Sequence, residues 1–78
     1  MKSVFAKDIS EVRSVVRENV EWFFSGTTTG IKSSDVTSCA KAVLGNLYND
    51  ANIFNYNPTE VEMLCNAIHN EIYELTYN

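Results

Sequence analysis

His69 is the only histidine in the chain, and it stands four residues after Cys65, one of two cysteines. On a helix that spacing makes the two side chains neighbours, so a thiol and a base could meet as in nucleophilic catalysis. The pair lacks what such chemistry also needs. No oxyanion element accompanies it, and Cys65 falls on an apolar stripe where a thiol packs as a small hydrophobe. Metal ligation would call on the same atoms together with Cys39, with Glu62 or Tyr73 nearby. Structural zinc takes four ligands, commonly with a C-x-x-C element, and this sequence has none. Neither an enzyme nor a metal protein is expected, and no cofactor is implied.

Other familiar chemistries fail on spacing or charge. The segment Gly26-Thr27-Thr28-Thr29-Gly30-Ile31-Lys32-Ser33 ends like a phosphate-binding loop but has the wrong spacing and no strand before it. A DNA-reading helix needs Lys or Arg for phosphates and base edges, and no Lys or Arg follows Lys41. Direct nucleic-acid binding is therefore not expected.

That absence is the strongest asymmetry in the sequence. Residues 1–41 hold six basic and five acidic side chains, whereas residues 42–78 hold five acidic ones and no basic one. All four tyrosines and eight of nine asparagines also fall in the second part. Such a surface suits a basic or polar protein partner, although an acidic face that only maintains solubility is the plainer reading.

The surface must be positioned by helices. Asp8-Ile9-Ser10-Glu11 offers a cap and a capping box, followed by a stripe of Ile9, Val12, Val16, Val20 and Phe23 flanked by Val15 and Phe24. Ser25-Gly26 closes this helix, and Thr27 to Lys32 form a loop. Ser33 or Ser34 opens a second helix with the stripe Val36, Cys39, Ala40, Val43, Leu47 and Ala51. Gly45 within it would let another helix approach closely. The third helix has the clearest start, with Asn57 as cap, Pro58 at the first position and Glu60 at the third. Its core stripe is Val61, Leu64, Cys65, Ile68, Ile72 and Leu75.

Three amphipathic helices with short connections predict one all-α domain over 1–78, a compact three-helix bundle with the option of dimerisation. A chain this short buries only about 60–65% of its unfolded surface, which favours a second copy or a partner. No secretory apolar run begins the chain and no stretch reaches the length of a membrane span, so the expected setting is cytoplasmic, with free thiols and no membrane role.

Two features remain after the core is assigned. Ile53, Phe54 and Tyr56 crowd one connection, where they either plug the bundle end or present an aromatic anchor. On the third helix, Glu62, Asn66, His69 and Tyr73 form a ridge off the core stripe. The expected partner-binding surface is this ridge with Glu74, assisted by Tyr56 and Asp50, and with Tyr56 and Tyr73 as anchors. By size and charge alone the chain resembles small acidic inhibitors from phages and mobile elements, including anti-CRISPR and DNA-mimic proteins. That resemblance implies blocking the basic groove of a nucleic-acid-handling protein. The alternative is a structural or assembly subunit that self-associates or docks on a larger complex.

Overall fold

In the computed structural model, which describes residues 1–26 and 29–77, three helices form the expected bundle. Helix α1 spans Ile9–Phe24, α2 spans Ser33–Tyr48 and α3 spans Pro58–Tyr77, with a 3-10 turn at Ile53–Asn55. Thr27 and Thr28 of the expected loop, and Asn78, lie outside the described residues. Each helix packs against the other two. The segment before α1 meets Glu60 at the start of α3 and Arg17 meets Glu71 further along it, so α1 and α3 run the same way and α2 runs back against both.

Helix starts follow local chemistry. The Asp8 carboxylate accepts from the Ser10 backbone N–H at 2.9 Å, capping α1. Glu11 does not complete the box, because its carboxylate lies 3.5 Å from Lys7 Nζ instead. For α2 the cap is Lys32 rather than Ser33 or Ser34, and the Asp35 carboxylate accepts from the Lys32 N–H at 2.8 Å. Asn57 caps α3 as expected, accepting from Thr59 and Glu60 N–H at 3.0 and 3.2 Å.

The second helix ends sooner than its apolar spacing suggests. Asn49 turns left-handed, with φ 56°, and its N–H closes on the Gly45 carbonyl at 2.9 Å. Ala51 therefore lies outside α2 and is exposed, not part of the stripe. Gly45 admits no helix: a Cβ there would meet only the Ala51 Cβ, at an ordinary 3.6 Å.

The core is the union of the three stripes, including Val12, Val16, Val20, Val36, Cys39, Val43, Leu64 and Ile68. Phe24 is buried and Phe23 only half-buried, a small rotation of the expected α1 face, and Ile9 at the first turn is exposed. One polar side chain joins this interior. Asn19 donates to the Val15 carbonyl at 2.8 Å and accepts from the Asn46 amide at 3.3 Å, tying α1 to α2.

Residues before α1 form a part of the fold that periodicity does not reveal. Lys2 pairs with the connection before α3: its N–H donates to the Asn55 carbonyl at 2.8 Å, and its carbonyl accepts from Asn57 at 3.0 Å. The Glu60 carboxylate accepts from Val4 N–H and Ser3 Oγ at 2.7 and 2.8 Å, and the Tyr48 hydroxyl donates to the Val4 carbonyl at 2.6 Å. With its backbone satisfied, Val4 is fully buried at the end of the bundle.

Candidate partner-binding surface

The ridge on α3 is present. Glu62, Asn66, His69 and Tyr73 are all exposed, and successive three- and four-residue steps align them over about 16 Å of helix. Tyr73 is 65% exposed, and its ring lies 4.6 Å from that of Tyr77, so the C-terminal end of the ridge is a paired aromatic surface. Met63 is exposed on the adjoining side. The core stripe of Leu64, Ile68 and Ile72 lies about 120° round α3 from the ridge, so the ridge side chains are not part of the core.

The other three expected residues are elsewhere. Glu74 is exposed, but it lies about 120° round the helix from Glu62 and borders the groove between α1 and α3 with Arg17 and Glu21. Tyr56 is 1% exposed and cannot anchor a partner. Its ring packs 6.1 Å from that of Tyr48, and its hydroxyl donates to the Asp50 carbonyl at 2.6 Å. A phenol fits this buried position because its one polar end has a partner there. Asp50 is occupied within the fold. Its carboxylate accepts from Lys2 Nζ at 2.8 Å, Asn55 at 2.9 Å and the Asn52 N–H at 3.1 Å.

These contacts redistribute the acidic field. Asp50 is neutralised by Lys2, Glu71 pairs with Arg17 at 3.3 Å, and Glu60 is held by the N-terminal segment. Of the five carboxylates after Lys41, only Glu62 and Glu74 have no ion-pair or hydrogen-bond partner among the described residues. The lysine and arginine that complete two of these pairs come from the first part of the chain, a cancellation that a tally by halves does not register.

Both cysteines are free thiols. Burial, followed by the nearby Cys65, pushes the Cys39 thiol up to about 11. Burial and then the Glu62 charge push Cys65 up as well, so neither carries the lowered pKa of an activated nucleophile. Among the described residues, no three His, Cys, Asp or Glu side chains gather as a metal set. No described helix is long and apolar enough to cross a membrane.

Two exposed aromatics lie outside the expected partner-binding surface. Trp22 is 79% exposed on the side of α1 away from α3, against the edge of Phe23, and Phe54 is 83% exposed in the 3-10 turn. Helical position could have flagged Trp22, which lies off the Val12–Val16–Val20 line. Within the connection, nothing local distinguishes the inward Tyr56 from the outward Phe54.

No protein family, curated protein or solved structure matches the chain.

Proposed function

We propose that this chain is a non-catalytic protein-binding module whose α3 ridge, Glu62, Asn66, His69 and Tyr73, docks on a partner with a basic rim. The observation that carries this reading is a continuous ridge with an acid, an amide, an imidazole and a phenol exposed on a helix whose packing does not use them. Tyr73 supplies contact area and a polar tip at low entropic cost, and its pairing with Tyr77 preorganises it. Glu62 steers encounter and leaves affinity mainly to the aromatic and amide groups.

The inhibitor form of this reading places the ridge in the basic groove of a nucleic-acid-handling protein, as anti-CRISPR and DNA-mimic proteins do. It draws on Glu62, with Glu74 on a separate side, because the other three carboxylates of this region are engaged within the fold. A short acidic and aromatic key describes the surface better than a phosphate-like row of charges.

The test is association rate against ionic strength with the purified partner. Glu62→Lys should slow association several-fold at low salt and flatten its salt dependence, with a smaller effect from Glu74→Lys. Tyr73→Ala should raise dissociation by the equivalent of about 2 kcal/mol. Unchanged rates in both Lys variants would reduce the acidic residues to solubility features.

A second reading, self-association as a structural subunit, is favoured by Trp22 and Phe54, two large side chains left uncovered. Light scattering behind a sizing column decides it: a dimer mass at micromolar concentration supports it, and the 8.8 kDa monomer at every concentration removes it.

A further inference from the structure

The segment before α1 forms one wall of an open groove at the end of the bundle. Lys2, Ala6 and Lys7 line a space of about 580 Å³ together with Leu47, Tyr48 and Tyr56, of which Tyr48 is half-buried and the other two are almost fully covered. That volume is in the range of sites for small organic molecules. The lining is mainly carbon, and its only charged side chains are the two lysines, in a molecule of net charge −4. By contrast, the two grooves beside α1, each about 420 Å³, mix arginine with glutamate and favour neither sign.

Each lysine lies over an aromatic ring, Lys7 over the half-buried Tyr48 and Lys2 over the covered Tyr56. Lys7 Nζ lies 5.7 Å from the Tyr48 ring centre and Lys2 Nζ 5.9 Å from that of Tyr56. They are not equally free. Lys2 is committed to Asp50 at 2.8 Å, whereas Lys7 has only an exposed glutamate, Glu11, at 3.5 Å, a contact of the kind that contributes little and exchanges readily. Lys7 can therefore turn to an anion in the groove while its neighbour keeps the wall in place.

We propose that this groove binds a small organic carboxylate with a flat apolar body, the carboxylate on Lys7 and the body against Leu47 and the Tyr48 ring. Such a ligand meets both features of the lining, cationic at one edge and apolar across the floor. It bridges the N-terminal segment to α2 and so stabilises their junction. The site lies at the opposite end of α3 from the Tyr73–Tyr77 pair and does not depend on the ridge having a partner.

The test uses the full chain, labelled with nitrogen-15 and titrated with 2-naphthoate while backbone amide shifts are followed. Saturable shifts should concentrate on residues 6–7 and 46–49. The neutral 2-naphthamide, and naphthoate on Lys7→Gln, should each bind about tenfold more weakly. Ala6→Trp, which fills the groove from an exposed position, should abolish the shifts, its own spectrum reporting that the fold is kept. The proposal is overturned if no saturable shift appears, if the shifts centre on the α1 arginines, or if the amide or the Lys7→Gln protein binds as well as naphthoate to the original chain.

Discussion

Asp50 shows how one side chain can be misjudged when only its neighbours in sequence are known. Read locally, it is an acid in an acidic stretch; in the fold it accepts from Lys2, Asn55 and Asn52, and these bonds, Lys2 first, lower its carboxyl from 3.8 to about 2. The folded state thus favours the ionised form. Its contribution is present above the ordinary carboxyl value and is lost as pH falls towards 2. Asp50→Asn should therefore lower stability at neutral pH and show a flatter pH dependence between about 4 and 2, measured by urea unfolding across that range. An unchanged slope in the variant would mean that the Lys2–Asp50 contact is not maintained in solution. The same limit explains Tyr56. Three large side chains in one connection were legible, but the choice of which turned inward depended on the Asp50 carbonyl meeting the phenol, a partner that sequence spacing does not reveal.

At the scale of elements, the three helices were legible because each carries a strict apolar repeat, and the α3 start was legible because Asn57-Pro58 states it locally. Helix ends were less so. Apolar spacing extends α2 to Ala51, yet the left-handed turn at Asn49 stops it three residues after Asn46 and two before Ala51. Gly45 carries no close helix approach, so its flexibility is a cost without a structural return. Gly45→Ala should stabilise the protein by about 1 kcal/mol, read as a higher urea midpoint with an unchanged slope. The N-terminal segment was missed altogether, since Val4 and Phe5 are too few to display a period. Val4 is nevertheless fully buried, with its backbone held by Glu60 and Tyr48, and Val4→Ala should cost about 2 kcal/mol in the same experiment. A loss near zero would show that the segment is detached for most of the time.

For the molecule as a whole, the three-helix bundle followed from the sequence, and so did the exposure of Glu62, Asn66, His69 and Tyr73. The electrostatic picture changed more. Lys2 and Arg17 reach residues 48 and 54 positions away along the chain, and only Glu62 and Glu74 of this region's carboxylates are left without an ion-pair or hydrogen-bond partner among the described residues. The recognition we propose for the ridge consequently rests on shape and aromatic contact at least as much as on charge. This central claim is tested most directly by photo-crosslinking in the native host. p-Benzoylphenylalanine is placed singly at positions 62, 66, 69 and 73, and at exposed control positions 14, 38 and 41 on α1 and α2. The account predicts that one partner protein is crosslinked from the four ridge positions and not from the controls, and that Tyr73→Ala diminishes the adduct formed at 66. Crosslinks to that protein from 14, 38 or 41, with none from the ridge, would contradict it.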